Sequence, residues 1–418
     1  MPGRSHLSPF HVMAKPTGAI CNLDCAYCFY VSKQAIYPGS GFRMSRELLE
    51  AYVRQMLEAH GPGDVVFAWQ GGEPTLLGRE FFEEAVALAE RLRRPGQRPL
   101  HCIQTNGVLL DRDWARFFRQ HEFLVGVSLD GPRALHDAYR VDKRGAPTFE
   151  RVMRGIASLR SAGVQWNVLA TLHRANAPYP REVYRFLRDV AGARYIQFIP
   201  IVEREGAPDD APPGPPPVRT GAGQDRVLYM QRGDRAGARS IAAADYGRFL
   251  AAVFDEWAAR DIGRVSVQAI DAACAAWSGL PPPLCVFAPT CGRAVALEHN
   301  GDVYSCDHYV EPGYRLGNVA RTTLREMVDS PRQRRFGQAK RDTLPTACRS
   351  CEYRFACEGG CPKDRFVARP GEALPGNYLC EGYRAFFRHI DRPMRTICRL
   401  AARGLPGREI MNALRQPG

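Results

Sequence analysis

The spacing of the cysteines limits the possible structures of this 418-residue chain more than any other feature. Of its 14 cysteines, three form a C-x3-C-x2-C motif near the N-terminus and eight more lie between residues 285 and 380. Disulfide bonds are rare in a reducing cytosol, so such arrays indicate metal binding or catalysis. The two arrays are Cys21, Cys25 and Cys28, and then Cys285, Cys291, Cys306, Cys348, Cys351, Cys357, Cys361 and Cys380. The other three, Cys102, Cys274 and Cys398, are expected to be buried as small apolar side chains.

A regular alternation of short apolar runs and amphipathic stretches extends from residue 11 to about residue 260. The predicted strands are His11–Lys15, Val65–Trp69, His101–Thr105, Leu124–Ser128, Gln165–Leu172 and Arg194–Ile201. The predicted helices are Ser45–His60, Arg79–Arg94, Arg112–His121, Phe149–Gly163, Arg181–Gly192 and Ala244–Arg260. Six βα units predict a parallel sheet with right-handed crossovers. They are too few for a closed eightfold barrel, so we expect an α/β fold with a partial (βα)6 TIM-like barrel.

The pattern divides the chain into three parts. We expect the barrel in residues 1–262, a cysteine-rich domain in residues 263–390 and a helical tail in residues 391–418. The cysteine-rich part lacks the apolar periodicity of a core of its own, so bound metal is expected to hold it together. Within the barrel, residues 205–240 are expected to form a flexible insertion, since Gly206–Gly223 is rich in proline and glycine.

The first cysteine motif follows the first predicted strand directly. Three thiolates can hold three irons of a [4Fe–4S] cluster and leave the fourth iron open for the amino and carboxylate groups of S-adenosylmethionine (SAM). A structural zinc ion usually takes four protein ligands, and no fourth Cys or His lies nearby in sequence. The motif, with aromatic Tyr27 and Phe29 beside Cys28, resembles that of the radical SAM superfamily.

Polar and glycine-rich segments follow the next three strands: QGGEP at Gln70–Pro74, QTNG at Gln104–Gly107 and SLDG at Ser128–Gly131. These positions fall on the face where α/β barrels build active sites. Gly71–Pro74 matches the GGEP motif of the radical SAM family, in which it contacts the SAM amino group. The resemblance therefore implies SAM contacts by Gly71, Gly72 and Glu73, and it makes Tyr27, Ser128 and Arg140 further candidates. Arg140 could equally be a surface salt-bridge residue.

The second array contains eight cysteines, enough for two four-ligand clusters. Its run C-x2-C-x5-C-x3-C resembles the SPASM extension of radical SAM peptide and protein maturases, although in isolation a double zinc ribbon would fit nearly as well. The resemblance implies three [4Fe–4S] clusters in all, two of them auxiliary. By the same resemblance, the nearer auxiliary cluster is bound by Cys285, Cys291, Cys306 and Cys361, and the farther one by Cys348, Cys351, Cys357 and Cys380.

Three longer segments narrow the resemblance: MAKPTGAICNLDCAYCFY, WQGGEPTLLG and CDHYV look like those of anaerobic sulfatase-maturating enzymes. Such enzymes oxidise a Cys or Ser in a C/S-x-P/A-x-R sequence of a sulfatase to Cα-formylglycine. The resemblance implies that Asp307 is the catalytic base, while Tyr30 and Gln70 line the substrate and SAM pocket. It also implies a sulfatase polypeptide as substrate and a reduced flavodoxin- or ferredoxin-type electron donor. His308 and the proline-rich insertion depart from the family.

Two other functions stay open at this point. A SPASM maturase could instead install a thioether or another crosslink in a ribosomally made peptide. Such enzymes often have an N-terminal leader-recognition domain, and the ten residues before the first strand argue against one. The second alternative is a non-catalytic electron carrier, which the open-site motif and QGGEP disfavour.

Composition sets the remaining expectations. The content of 45% hydrophobic and 24% charged residues is typical of globular proteins. The formal charge of +13 would fall to about +8 with three clusters bound. Because Lys and Arg are also spread along the chain, we expect no nucleic-acid partner. The sequence has neither an apolar run of about 20 residues nor a signal-peptide core, so we expect a cytoplasmic enzyme without a membrane partner.

Overall fold

The computed structural model describes residues 9–206, 217–219 and 225–415. The strands are β1 His11–Lys15, β2 Gly63–Trp69, β3 Gln97–Thr105, β4 Leu124–Ser128, β5 Trp166–Leu172, β6 Tyr195–Pro200, β7 Arg204–Glu205, β8 Val218–Arg219, β9 Asp225–Arg226, β10 Arg235–Ala236, β11 Ser266–Val267, β12 Ala294–Glu298, β13 Asp302–Tyr304, β14 Arg315–Asn318, β15 Arg365–Val367 and β16 Gly376–Asn377. Most of the expected insertion at Gly206–Gly223 lies outside the described residues.

Helices follow most of the barrel strands, as the sequence predicts. They are α1 Arg46–Ala59, α2 Arg79–Leu92, α3 Arg112–Gln120, α4 Arg133–Asp137, α5 Phe149–Ser161, α6 Pro180–Arg185 with a π-helical turn Phe186–Val190, α7 Ala243–Arg260, α8 Gln268–Trp277, α9 Leu324–Val328, α10 Pro331–Asp342, α11 Thr346–Arg349, α12 Arg354–Cys357, α13 Cys380–Ala402 and α14 Gly407–Arg415. Short 3-10 turns are Val31–Ile36, Pro74–Leu77, Asp307–Tyr309, Pro312–Tyr314 and Pro362–Asp364. None of the described helices is both long and apolar enough to cross a membrane.

One sheet of ten strands organises the molecule, in the order β11-β6-β5-β4-β3-β2-β1-β12-β13-β14. Strands β1 to β6 lie side by side in parallel, which confirms the α/β partial barrel expected from six βα units. β11 extends the parallel sheet beyond β6. On the other side β12, from the cysteine-rich region, pairs in parallel with β1 from His11↔Ala294 to Lys15↔Glu298. The cysteine-rich region therefore continues the barrel sheet.

Local sequence explains how the barrel layers form. Alternate side chains of β2, Phe67 and Trp69, point into the core and are almost completely buried. Tyr52 of α1 packs edge-on against Trp69, with ring centroids 5.7 Å apart. The Ser45 side chain accepts a hydrogen bond from the backbone at the start of α1, and Asp111 does the same for α3.

The cysteine-rich region has more apolar packing than its sequence suggests. Helix α13 begins at Cys380 and runs without a break to Ala402, so residue 391, where a tail was expected to start, lies inside it. Its apolar face is buried with the barrel core, and α13 lies so close to α7 that a Cβ on Gly382 would be 2.2 Å from the carbonyl oxygen of Ala243. Apolar packing against the barrel, and not bound metal alone, therefore holds this region.

Candidate active site

The loop with the first cysteine motif lies at the carboxyl edge of the sheet, between β1 and α1. Its backbone is held by the segment after α4: the N–H groups of Asp24 and Ala26 donate to the carbonyl groups of Val141 and Tyr139, each at 2.9 Å. The thiol sulfur of Cys21 accepts contacts from the backbone N–H of Leu23 at 3.3 Å and from Asn106 Nδ2 at 3.7 Å. N–H donors aimed at a cysteine sulfur suit a thiolate that binds an iron–sulfur cluster.

Gly71 and Gly72 pack directly on this cysteine loop. The N–H of Gly72 donates to Gly18 O at 2.8 Å, and the N–H of Glu73 donates to Ile20 O at 2.9 Å. A Cβ on Gly72 would lie 1.9 Å from Ile20 O. Gly71 has φ +129°, a region that favours glycine, and a Cβ there would lie 2.9 Å from Gly18 O. Close backbone approach is therefore the structural reason for both glycines.

Glu73 is completely buried, and its carboxylate is occupied within the protein. It accepts hydrogen bonds from the N–H and hydroxyl of Thr75, the hydroxyl of Thr105 and the N–H of Asn106, at 2.6–3.1 Å. Burial raises the pKa of Glu73, and these hydrogen bonds oppose the rise. The carboxylate therefore joins the loops after β2 and β3, which leaves the backbone as the part of Glu73 that SAM could contact.

Tyr27 and Arg140 meet at Asp130, a residue of the SLDG segment. Tyr27 donates its hydroxyl proton to Asp130 Oδ2 at 2.5 Å, and Arg140 binds both carboxylate oxygens at 2.8 and 3.1 Å. Burial would raise the pKa of Asp130, but Arg140 holds it below its usual range. Arg140 is only 6% exposed, so it is a buried ion-pair residue and not a surface one. Ser128 is half-buried nearby at the end of β4 and accepts a hydrogen bond from Gln104 Nε2 at 3.1 Å.

A second polar group assembles where β1, β2 and β12 end. The register that pairs Lys15 with Glu298 brings the last residues of β1 and β12 together. Lys15 is 2% exposed; its ammonium forms an ion pair with Asp307 and lies 3.9 Å from the centre of the Tyr30 ring. Tyr30 donates a short hydrogen bond to Glu298. The positive charge of Lys15 and the negative charge of Asp307 thus lie at the carboxyl edge of the sheet, where the cysteine loop also lies.

Gln70 follows β2 at this edge. Its backbone N–H donates to Ala14 O at 2.8 Å. Its side-chain Oε1 is buried and has no hydrogen-bond partner among the described residues. A buried acceptor without a partner is costly unless a bound molecule donates to it. Gln70 is therefore suited to bind an N–H group of a peptide or of SAM.

The electrostatics favour an ionised Asp307 and a neutral His308. Burial would raise the pKa of Asp307, but Lys15 and the other cations beside it hold the pKa below its usual range. Burial lowers the pKa of His308 to about 4. The His308 ring packs against Phe29 at 5.6 Å between centroids, so His308 contributes an uncharged ring to the site.

The eight later cysteines fall into two neighbourhoods. Cys306 interacts electrostatically with Cys361 and Cys285, and Cys291 interacts with Cys285. Cys361 therefore belongs with these three cysteines and not with the others of the C-x2-C-x5-C-x3-C motif. The ammonium of Lys340 donates to the Cys285 and Val286 carbonyl groups at 2.7 and 2.9 Å and braces this first set. No three of the described Cys, His, Asp or Glu side chains converge on a position for one metal ion.

The other four cysteines line a cavity of about 420 Å³ together with three arginines. They are Cys348, Cys351, Cys357 and Cys380. A cavity walled by four thiols and basic side chains fits an iron–sulfur cluster, whose net charge is negative. A larger cavity, of about 560 Å³, lies at the opposite ends of the strands around Leu124, Trp166 and Tyr195, and it contains none of the expected site residues.

Several residues at the site were not identified from the sequence. Lys15 lies in the segment MAKPTGAIC and Asp130 in SLDG, where an acidic residue directly after a strand is a signal that could have identified Asp130. Glu298 carries no such signal, because its partner Tyr30 lies 268 positions away in the chain.

Comparison with known proteins gives consistent matches over nearly the whole chain. A family model for the radical SAM superfamily matches residues 16–187, and one for the SPASM iron–sulfur cluster-binding domain matches residues 285–352. The chain is 42% identical over 387 residues to the serine-type anaerobic sulfatase-maturating enzyme of Bacteroides thetaiotaomicron, covering 91% of this chain and 89% of that protein. It is 30% identical over 386 residues to the cysteine-type enzyme of Clostridium perfringens, covering 92% and 96%.

A solved structure, native anSMEcpe with bound AdoMet and Cp18Cys peptide, superposes with a TM-score of 0.80 at 29% identity, covering 94% of this chain and 99% of that one. These matches confirm the resemblances stated from the sequence. The iron–sulfur description of the second region also decides against a double zinc ribbon.

Proposed function

The chain belongs to the family of anaerobic sulfatase-maturating enzymes, and we propose that it oxidises a Cys or Ser side chain of a sulfatase to Cα-formylglycine. The observation that carries the proposal is the Lys15–Asp307 ion pair, fixed beside Tyr30 at the sheet edge that also holds the cysteine loop. The target sequence would be C/S-x-P/A-x-R, as in the family that the chain resembles.

The enzyme carries three [4Fe–4S] clusters and uses SAM. The thiols of Cys21, Cys25 and Cys28 would hold the SAM-cleaving cluster, and the two later neighbourhoods would hold the auxiliary clusters. The backbone of Gly71, Gly72 and Glu73 would face the SAM amino group. Candidates for the ribose and carboxylate on the same edge are Ser128 and the group formed by Tyr27, Asp130 and Arg140.

When bound, these groups supply a 5′-deoxyadenosyl radical that removes a hydrogen atom from Cβ of the target side chain and an acceptor for the second electron. The protein must supply a base, because the thiol or hydroxyl proton also leaves when the C=S or C=O bond forms. Asp307, held ionised by Lys15, would take that proton. Gln70 can hold a backbone N–H of the peptide with its unpartnered oxygen. For a Cys target, water then replaces sulfur in the thioaldehyde and releases hydrogen sulfide.

The partners follow from this chemistry. The substrate is a sulfatase polypeptide presented as an accessible segment, since the target Cβ must reach the carboxyl edge of the sheet. A reduced flavodoxin- or ferredoxin-type protein would supply the electron for SAM cleavage. A cytoplasmic location fits thiols that must stay reduced to bind iron.

The test uses the anaerobically reconstituted enzyme with SAM, a reductant and two peptides that differ only in Cys or Ser at the target position. Mass spectrometry should detect an aldehyde in place of the CH2SH or CH2OH group, together with 5′-deoxyadenosine. In Asp307→Asn, SAM should still be cleaved while the aldehyde is lost. An unchanged peptide with the wild-type enzyme, despite deoxyadenosine formation, would contradict the proposal.

A further inference from the structure

The part of the expected insertion that follows the proline-rich stretch Gly206–Gly223 contacts the loop of the first cysteine motif. Arg226, at the end of β9, donates to the carbonyl groups of Asp24, Cys25 and Ala26 at 3.4, 3.1 and 3.4 Å. It also forms an ion pair with Asp24 Oδ1 at 3.0 Å, and its side chain is only 15% exposed. One guanidinium group therefore binds three consecutive carbonyl groups of this loop.

The same segment continues across the site. The N–H of Tyr229 donates to Ser32 Oγ at 3.0 Å, and the buried ammonium of Lys33 donates to Tyr229 O at 2.6 Å. Two residues on, the N–H of Gln231 donates to Glu311 Oε1 at 2.8 Å. Residues 226–231 thus connect the cysteine loop to the loop that follows Asp307. Within this connecting segment, Arg226 is the positively charged residue, and it contacts the proposed cluster ligand Cys25 directly.

The charge of Arg226 acts on the cluster position. Its guanidinium contacts the Cys25 carbonyl oxygen at 3.1 Å, which puts a positive charge beside a residue that would bind the cluster. Arg140 and Arg226 each pair with a buried carboxylate, Asp130 and Asp24, so loss of Arg226 would remove the positive charge that faces Asp24 beside the loop. Arg226 Nε is buried without a hydrogen-bond partner among the described residues, so this N–H is available to a group bound at the loop.

We propose that Arg226 is a positioning residue that holds the cysteine loop and favours the reduced state of the SAM-cleaving cluster. Three thiolates on a [4Fe–4S]²⁺ core carry one net negative charge, and reduction adds another. A partly buried cation beside the loop stabilises that added electron, and charge is one of the factors that set cluster potentials. The inference rests on the cluster assignment but not on the sulfatase substrate.

The experiment is a redox titration of the holoenzyme followed by electron paramagnetic resonance, without peptide. The SAM-responsive signal identifies the cluster of interest among the three. In Arg226→Gln, the midpoint potential of the SAM-cleaving cluster should shift to a lower value. The fraction of this cluster that is reduced at a fixed low potential should then fall roughly tenfold, which is the effect expected from losing one partly buried unit charge. Arg232→Gln is the matched control, since it removes a positive charge from an exposed position of the same segment.

Arg226→Lys distinguishes the effect of the positive charge from that of the guanidinium hydrogen bonds. It also replaces Arg226→Gln in the experiment if the Gln variant does not assemble its clusters. It keeps the charge but not the planar fork, so its potential should stay near that of the wild type while a chelator removes iron faster. An unchanged potential in Arg226→Gln with its clusters intact would overturn the proposal. A shift in Arg226→Lys as large as in Arg226→Gln, or an equal shift in Arg232→Gln, would also overturn it.

Discussion

One added methyl group at Gly72 tests how tightly the loop after β2 is packed on the cysteine loop. In Gly72→Ala, the new Cβ would lie 1.9 Å from the carbonyl oxygen of Ile20 and 2.4 Å from its carbon, whereas real Cβ atoms essentially never come closer than 3.0 Å. The neighbour is backbone and cannot rotate away. The two loops must therefore separate by more than 1 Å, directly before Cys21.

The cost can be worked from the contacts that this separation breaks. Two backbone hydrogen bonds join the loops, from Gly72 to Gly18 and from Glu73 to Ile20. Each contributes about 1 kcal/mol net, and overpacking costs about 1–3 kcal/mol more, so the native loop arrangement loses roughly 3–5 kcal/mol. A displacement of about 1 Å at a reacting centre can lower a rate by about 100-fold. We therefore expect SAM cleavage to fall at least about 100-fold.

The assay measures iron content and 5′-deoxyadenosine formation in the anaerobically reconstituted variant. Gly41→Ala is the matched control, because a Cβ there meets no atom within 4 Å. It should leave both quantities unchanged. Full iron content together with SAM cleavage near the wild-type rate in Gly72→Ala would refute the packing argument.

Lys15→Met removes the cation that fixes Asp307 and keeps it ionised, an interaction of about 3 kcal/mol, so aldehyde formation should fall roughly 100-fold while SAM binding is kept. Peptide turnover near the wild-type rate would contradict this. Cys361→Ala should lower iron content by roughly the four irons of one cluster, whereas Cys102→Ala should not change it. Equal iron in the two variants would contradict the ligand assignment. Burial lowers the pKa of His136 to about 4. Because the unfolded chain therefore binds the proton first as the pH falls, His136 should cost about 1 kcal/mol of stability between pH 7.5 and 5.5. Thermal unfolding of His136→Gln should show a smaller loss of stability than the wild type between pH 7.5 and 5.5. An equal loss would contradict the lowered pKa of His136.

The barrel was predictable because each of its strands and helices carries its own periodic signal. The apolar run His11–Lys15 and the amphipathic stretch after Ser45 match β1 and α1 within a residue or two. The parallel pairing of β12 with β1 was not predictable, because Ala294–Glu298 is a short run in a region without a repeating pattern. Pairing between distant segments depends on register and packing, which a single sequence does not encode locally.

The site shows the same division. The motifs predicted functional roles for Asp307 and the cysteine loop, but they did not predict which residues contact them and fix their positions. The partner of Asp307 is Lys15, 292 positions earlier, and the two meet only because the cysteine-rich region continues the barrel sheet. The tail was expected to begin at Asp391 because no motif marks the start of α13 at Cys380. Contacts set by the tertiary fold, such as those of Arg226, leave no local pattern in the sequence.

Transfer of one hydrogen atom from the target Cβ to 5′-deoxyadenosine is the step that defines the proposed oxidation. A target peptide in which both hydrogens on Cβ of its Cys or Ser are replaced by deuterium is given to the wild-type holoenzyme with SAM and a reductant. The mass of the recovered 5′-deoxyadenosine is then measured by mass spectrometry. If the deoxyadenosyl radical attacks this Cβ, one deuterium appears in the deoxyadenosine and the aldehyde keeps the other. Deoxyadenosine without deuterium, beside an unmodified or crosslinked peptide, would show that this site does not oxidise the target Cβ.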